Sequence, residues 1–242
     1  MPNPDVKKKY TISAFFPVYN DWGTISSMVF LVNGVLEKVA KDYEIILVDD
    51  GSRELTKRVL EELSKKVDKL RVITRPGNGG YGAALKTGFY NAKHELIFYT
   101  DGDAQYNPEE LELLVEKFSD DVDVVNGYKI SRSDPIYRKI LGRLYHYLTK
   151  LLFGFTIRDV DCDFRLMRRS IFDDLKLEYD SGVICVEMIS KMTKKGYRFV
   201  EVPVHHYYRM SGKSEFFNFK RIFIVSKNLI KLWYKIVIKK IY

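Results

Sequence analysis

Glu95-Leu96-Ile97-Phe98-Tyr99-Thr100-Asp101-Gly102-Asp103-Ala104-Gln105 joins a short apolar run to a knot of oxygen-bearing side chains. An apolar run of this length that stops at a glycine turn reads as a buried strand, Glu95–Thr100. Its carboxyl end then delivers two aspartates and an amide to one place. The pattern repeats upstream. Tyr10–Phe16 reads as a strand stopping at Pro17, and Glu44–Val48 as a strand ending in Asp49-Asp50-Gly51-Ser52. Leu70–Thr74 reads as a third strand, followed by the glycine-rich turn Arg75–Gly80.

Helical spacing fills the intervals. Apolar residues at Ile25, Met28, Val29, Val32, Leu36 and Val39 predict a helix over Thr24–Lys41. Leu55–Lys66 and Tyr81–Ala92 read the same way, and Pro108 opens a helix running to about Phe118 before a strand at Val122–Gly127. Strands separated by single helices imply an α/β fold with a mainly parallel central sheet flanked by helices. Ligands of such sheets bind at the carboxyl ends of the strands, where every polar cluster named above falls. After Tyr128 the rhythm changes. Lys129–Gly154 is basic and helical in character, Asp159–Arg168 extended, Val183–Lys194 helical and Phe199–His205 a strand. The expected organisation is a body over residues 1–215 and a C-terminal amphipathic helix over 216–242.

Composition narrows the function. With 242 residues, 46% of them hydrophobic, the chain can bury a core of its own. Cys162 and Cys185 form neither a C-x-x-C pair nor a disulfide framework, which points to a reducing compartment. The polar start Met1–Lys9 does not read as a leader, and no stretch is apolar for long enough to span a bilayer. The net charge is +8, and seven basic residues with no acidic one lie between Phe216 and Tyr242. Lys227, Lys231, Lys235 and Lys239 recur every four residues among Ile224, Leu229, Ile230, Trp233, Ile236 and Val237. A basic amphipathic helix of this kind suits an interfacial membrane contact, or packing on the body.

Asp101, Asp103 and Gln105 offer hard oxygen ligands for Mg²⁺ or Mn²⁺, and Gly102 lets a ligand approach the backbone. The plainer reading is an acidic turn capping the next helix. Asp49, Asp50 and Ser52 could accept hydrogen bonds from a base or ribose, or cap a helix. Gly77-Asn78-Gly79-Gly80-Tyr81-Gly82 fits G-x-G-x-x-G, which admits a dinucleotide-dependent oxidoreductase. The motif follows the third strand, however, and a dinucleotide fold places it after the first. A basic nucleic-acid module would use the C-terminal cations but leave the acidic strand ends without a role.

Pro17-Val18-Tyr19-Asn20, Val48-Asp49-Asp50-Gly51-Ser52, the segment Asn78–Gly88 and Asp101-Gly102-Asp103-Ala104-Gln105 stand in the order seen in family 2 glycosyltransferases. The chain resembles that family over roughly Thr11 to Glu215, and within it the dolichol-phosphate mannose synthases and polyprenyl-phosphate glycosyltransferases. The resemblance implies an A-type glycosyltransferase fold and an inverting hexose transfer from a GDP- or UDP-linked sugar to a polyprenyl (dolichyl) phosphate, or to a glycan or surface-polymer hydroxyl. It implies that Pro17, Tyr19, Asn20 and Asp50 line the nucleotide pocket, with Asp49, Ser52, Gly80, Asp101 and Gly102 beside them. Asp101, Asp103 and Gln105 would hold the metal and diphosphate.

Later positions match less fully. Lys129 stands where the mannose synthases tend to have arginine, and Gly142 replaces a serine. Arg138 and Arg209 match phosphate-holding arginines. Asp161-Cys162-Asp163-Phe164-Arg165 stands where that branch usually reads Thr-Ser-Gly-Phe-Arg. Asp159, Asp161 and Asp163 alternate and, if extended, share a face. Asp161 is then a candidate for the acceptor site, with Lys129, Arg138, Arg209 and Lys213 to hold phosphates. The expected location is cytoplasmic, peripheral at the inner face of a membrane.

Overall fold

The computed structural model describes residues 9–132, 136–209 and 219–242, with backbone alone at 131, 132, 136–141 and 219–222. The first half alternates as the periodicity predicts: β1 (Thr11–Val18), α1 (Ile25–Val39), β2 (Asp42–Asp49), α2 (Glu54–Lys66), β3 (Leu70–Thr74), α3 (Tyr81–Asn91) and β4 (Leu96–Thr100). A 3₁₀ turn at Pro108–Glu110 leads into α4 (Leu111–Lys117), and Asn107 caps it by accepting the Glu109 N–H. Then follow β5 (Val124–Arg132), α5 (Ile136–Phe153), β6 (Phe164–Arg168), α6 (Ile171–Asp174), α7 (Val183–Lys195), β7 (Phe199–His206) and α8 (Phe219–Trp233), which ends in a π turn at Tyr234–Ile238.

The strands form one sheet in the order β3-β2-β1-β4-β6-β5-β7. All neighbours are parallel except β6, which runs antiparallel to both β4 and β5. Continuous apolar runs suit strands covered on both faces, and the period of two sorts them. Ile12, Ala14, Phe16, Ile45, Leu47, Leu96 and Phe98 join one cluster with residues of α1, α2 and α4. Their neighbours Phe15, Ile46, Val48, Ile97 and Tyr99 join the other with residues of α3, α6 and α7. A third cluster joins Phe153 of α5 and Val186 and Ile189 of α7 to Leu229, Leu232 and Ile236 near the C-terminus.

Three expectations change. Pro17 does not stop β1, which pairs with β2 as far as Val18↔Asp49. The Val18 carbonyl faces β2, where it accepts the Asp50 N–H, so the imide nitrogen of Pro17 faces the other way. On that side the pairing with β4 has already ended at Phe15↔Tyr99, and no ladder bond is lost. Lys129 is not helical, because β5 continues through it to Arg132 along β7. Residues 159–163 form a turn ahead of β6, with the Asp161 N–H donating to Asp159 Oδ1 at 3.2 Å. The strand-type alternation of the three aspartates therefore does not apply. Among the described residues no helix is long and apolar enough to cross a membrane.

Helix α3 lies close on β1: a Cβ at Gly88 would stand 2.3 Å from the Phe15 ring. Phe15 is fully buried, stacked on Tyr99 and edge-on to Phe89, and has no room to give. Gly88→Ala is expected to destabilise the fold by about 1–3 kcal/mol. Urea unfolding checks this, and an unchanged midpoint would show that the helix simply lifts away.

Candidate active site

Because β1, β2 and β4 are adjacent and parallel, their carboxyl ends open on one side. The antiparallel β6 brings its beginning to the same side: Phe164 pairs with Thr100, which sets Asp163 beside Asp101. Asp21, Asp101, Asp103 and Asp163 thus crowd one region. Burial first, and then Asp163 and Asp103, push the Asp101 carboxyl well above the usual carboxylate range. Burial likewise raises Asp103, opposed by Arg209. Asp21 is pushed up to about 6 by burial, with Asp103 adding to it.

Each carboxylate is held. The Tyr81 hydroxyl at the start of α3 donates to Asp101 Oδ1 at 2.9 Å. The Gln105 N–H donates to Asp103 Oδ1 at 3.0 Å through a turn in which Ala104 takes a φ of 60°. Arg209, in the loop after β7, reaches Asp103 Oδ2 at 2.5 Å. The Gln105 side chain is tied to the same loop, its Nε2 donating to the Tyr207 carbonyl at 3.2 Å.

These residues fit a divalent cation. Mg²⁺ and Mn²⁺ take one or two carboxylates and complete their shell with water and phosphate oxygens, and buried like charges gain most from such an ion. Among the described residues no three His, Cys, Asp or Glu side chains close around one point, so water and phosphate oxygens would supply the remaining ligands. Gly102 also supports the start of α1. It is buried beneath the start of α1, its carbonyl accepts the Thr24 hydroxyl at 2.7 Å, and a Cβ there would meet Ile25 at 3.1 Å.

On the β2 side, Asp50 organises the glycine-rich turn. Its carboxylate accepts the N–H of Gly79 at 3.0 Å and of Gly80 at 2.9 Å, together with the Arg75 guanidinium. Gly80 has a φ of 97°, and a Cβ would come 2.6 Å from the Asp180 carbonyl, so no larger residue fits. Asp49 is fully buried; Oδ1 accepts the Ser52 N–H at 2.8 Å and Oδ2 has no partner among the described residues. The Asn20 N–H donates to Ser52 Oγ at 3.0 Å, while Asn20 Oδ1 accepts the Arg53 N–H at 2.9 Å. Pro17 is buried, and Tyr19 stands exposed at the lip. The six positions Pro17, Tyr19, Asn20, Asp49, Asp50 and Ser52 therefore meet where β1 and β2 end.

On the β5–β6 side, Lys129 Nζ donates to the Asp161 carbonyl at 2.6 Å and lies 3.8 Å from Asp159 Oδ2. Ile130 is the extra residue of a bulge between the pairs Lys129↔Val204 and Ser131↔His205, a device that re-aims neighbouring side chains. The half-buried Asp161 is pushed up to about 6 by burial, lowered by Lys129 and raised by Asp159 and Asp163. The Arg138 side chain and Lys213 lie outside the described residues.

Several working residues escaped the sequence reading. Arg165 is fully buried: Nε donates to Asn126 Oδ1 at 2.5 Å, Nη1 to the Tyr99 hydroxyl, and Nη2 to the Val160 carbonyl. Asn126 in turn donates to the Asp159 carbonyl at 3.3 Å. Together they set the turn that carries Asp161. His205 and His206 point apart on β7, the first against Glu110 and the second buried on the Tyr106 ring.

With this geometry in place, the comparisons decide the family. The model for glycosyl transferase family 2 matches residues 13–176. The chain belongs to that family. An undecaprenyl-phosphate 4-deoxy-4-formamido-L-arabinose transferase from Enterobacter sp. (strain 638) is 30% identical over 227 residues, covering 93% of this chain and 68% of the relative. Its counterpart from Salmonella dublin is 29% identical over 221 residues, covering 90% and 66%. The chain thus spans about two thirds of the length of these curated relatives.

Among solved structures, glucosyl-3-phosphoglycerate synthase from Mycobacterium tuberculosis in complex with UDP superposes with a TM-score of 0.72 at 14% identity, covering 96% of this chain and 82% of that one. A mannosyltransferase from Pyrobaculum calidifontis in complex with GDP-Man and Mn²⁺ gives 0.67 at 16% identity, covering 98% and 66%. The fold is the A-type glycosyltransferase fold, and this protein is a glycosyltransferase.

The raised Asp101 carboxyl makes a signed prediction. A carboxyl that titrates higher when folded than when unfolded loses stability as pH rises between those two values. Asp101→Asn removes that loss, so the metal-free variant is expected to melt higher than the parent at neutral pH with a flatter stability–pH profile. Its transfer activity should fall on the order of 10²-fold or more. A variant that melts lower with the parental pH slope would refute the assignment of crowded charge.

Proposed function

We propose that this glycosyltransferase moves a sugar, with inversion, from a GDP- or UDP-linked donor to the phosphate of a polyprenyl lipid. The carrying observation is the buried Asp101–Asp103 pair at the end of β4, with Arg209 reaching across to it from the loop after β7. Curated relatives named for undecaprenyl phosphate support the acceptor class, and the dolichyl lipid expected from the sequence is of the same class. The donor panel should hold hexoses and an arabinose derivative, since the resemblance pointed to the first and the relatives' names to the second.

The donor nucleoside would lie at the ends of β1 and β2, against Pro17, Tyr19, Asn20, Asp49, Asp50 and Ser52, with Gly80 beside its phosphates. Asp101 and Asp103, with Gln105, would hold Mg²⁺ or Mn²⁺, which supplies charge neutralisation to the departing diphosphate. An acceptor phosphate oxygen attacks the anomeric carbon while the bond to the diphosphate oxygen breaks on the opposite side. The acceptor is already anionic, so no proton need be removed. Arg209, Lys129 and Arg138 are the cations assigned to the two phosphate groups. The outer face of α8 would rest at the cytoplasmic surface of the membrane that holds the lipid, with the catalytic body over residues 1–215.

A second reading has its own observation. Asp161, half-buried and pushed up to about 6, is suited to serve as base for a glycan or surface-polymer hydroxyl. Asp161→Asn separates the two. With a lipid-phosphate acceptor kcat should stay within about tenfold and show no new pH limb. With a hydroxyl acceptor it should fall roughly 10²–10⁴-fold and lose its acid limb.

Membranes incubated with labelled nucleotide sugars test the main reading directly, with label expected in an acid-labile lipid phosphate. A thermal-shift panel of UDP, GDP and their sugars, with and without Mn²⁺, should show metal-enhanced protection by one nucleotide series. Folded protein that answers to none of them would count against the reading.

A further inference from the structure

Asp103 already has a cation. Its Oδ1 accepts the Gln105 N–H at 3.0 Å, and its Oδ2 meets Arg209 Nη2 at 2.5 Å. Both oxygens of a carboxylate assigned to a divalent ion are therefore occupied by the protein's own groups. The pair is not a loose surface contact. The Asp103 side chain is 7% exposed and that of Arg209 31%, so water screens the attraction only in part.

The backbone fixes where Arg209 stands. The Tyr207 N–H donates to the Gln105 carbonyl at 2.8 Å, and Gln105 Nε2 donates back to the Tyr207 carbonyl at 3.2 Å. Two residues earlier, the His205 N–H donates to Glu110 Oε2 at 2.9 Å. The end of β7 is thus tied to the segment after β4 at three points, and Arg209 follows two residues later. Asp21, near enough to feel the charges of both Asp103 and Arg209, adds a second anion on the same side.

A bare divalent ion arriving here meets a seated guanidinium. To reach Asp103 it must break a largely buried pair and leave the displaced cation beside a dication. A diphosphate changes that balance. It brings oxygens that complete the ion's shell and an anion that Arg209 can hold instead.

We propose that Arg209 is a resident counter-cation for Asp103, which keeps a bare divalent ion out and yields the carboxylate only when ion and diphosphate arrive together. This rests on the assignment of Asp101 and Asp103 as the ion's ligands, and adds to it that ion uptake is conditional. In the empty enzyme the guanidinium neutralises Asp103. In the loaded site it passes to the diphosphate, and ion and nucleotide each raise the other's affinity by the same factor. As the diphosphate departs Arg209 returns to Asp103, so ion and product leave together.

Mn²⁺ titration of the full chain, followed by the paramagnetic resonance signal of the free ion, tests this without any transfer reaction. Wild-type protein is expected to bind Mn²⁺ alone weakly, and on the order of 10–100-fold more tightly with UDP or GDP. R209Q should bind Mn²⁺ alone at least about tenfold more tightly than wild type, with a smaller gain from nucleotide. R209K keeps a cation and should bind Mn²⁺ alone less tightly than R209Q. Lys57→Gln, exposed on α2, removes a positive charge elsewhere and should match wild type.

Equal affinity of wild type and R209Q for Mn²⁺ alone would overturn the proposal, as would a wild type indifferent to nucleotide. So would R209K binding as tightly as R209Q, since lost packing and not lost charge would then set the affinity. In each of these cases wild type still takes up Mn²⁺, and the assignment of the ion's ligands stands. Wild-type protein that takes up no Mn²⁺ with either nucleotide would remove that assignment, and the proposal with it.

Discussion

The crowding of carboxylates where β4 ends is the constraint around which the rest is arranged. Aspartates at 21, 101, 103 and 163 are brought together by three parallel strands and one antiparallel one, and burial makes their charges hard to keep. In water such a cluster would be held apart by solvent; here the strand register fixes it. The surrounding structure is built to tolerate it. Tyr81 donates to Asp101, the Gln105 amide and Arg209 to Asp103, and the Tyr19 amide to Asp21 at 2.9 Å. Under the proposed donor chemistry, a site that stores like charge in this way would gain most when a cation carrying a diphosphate enters it.

Opposite that cluster stands a buried cation of a different kind. Arg165 has no exposed surface, and each nitrogen group of its guanidinium finds an oxygen, on Asn126, Tyr99 and Val160. The Tyr99 hydroxyl passes the contact on to Asp163 at 3.3 Å, and the Cys185 thiol donates to the same carboxylate oxygen at 3.2 Å. A buried guanidinium is tolerated only when fully partnered, so this network is all or nothing. It explains why the segment before β6 turns instead of extending: the Val160 and Asp159 carbonyls are claimed from the inside. Asp161 is aimed by its neighbours' hydrogen bonds more than by its own.

This also marks how far the sequence could be read. Strand runs such as Ile45–Val48 and Leu96–Tyr99 are continuously hydrophobic and followed by turn residues, so the sheet and its polar edge were legible from local pattern alone. The strand ends at Asp49, Asp50, Asp101 and Asp103 came with it, because parallel topology fixes where carboxyl ends point. What was not legible depends on contacts distant in sequence. Pro17 looked like a strand end because nothing local tells that the pairing of β1 with β4 stops two residues short of it. Lys129 looked helical because its basic surroundings resemble those of α5, whereas its conformation is dictated by β7, more than seventy residues on. Asp21 and Tyr81 gave no signal of their own; each matters through one carboxylate across the cleft.

The two sides of the cleft share a mechanical support that no local pattern announces. Glu187 of α7, fully buried and paired with Lys191 at 2.8 Å, accepts the N–H groups of Glu178 and Tyr179 and so fixes the segment ahead of α7. From that segment the Asp180 carbonyl accepts the Gly82 N–H at 2.9 Å, against the turn that Asp50 holds and the helix start that offers Tyr81 to Asp101. Glu178 also pairs with Lys235, beyond α8. The C-terminal helix, the glycine-rich turn and the β4 aspartates thus rest on one buried carboxylate. Replacing Glu187 with an apolar residue would free three partners at once, Lys191 and the N–H groups of Glu178 and Tyr179. The position of α8 on the body and the donor-side geometry are for that reason parts of one structure, even though they lie at opposite ends of the chain.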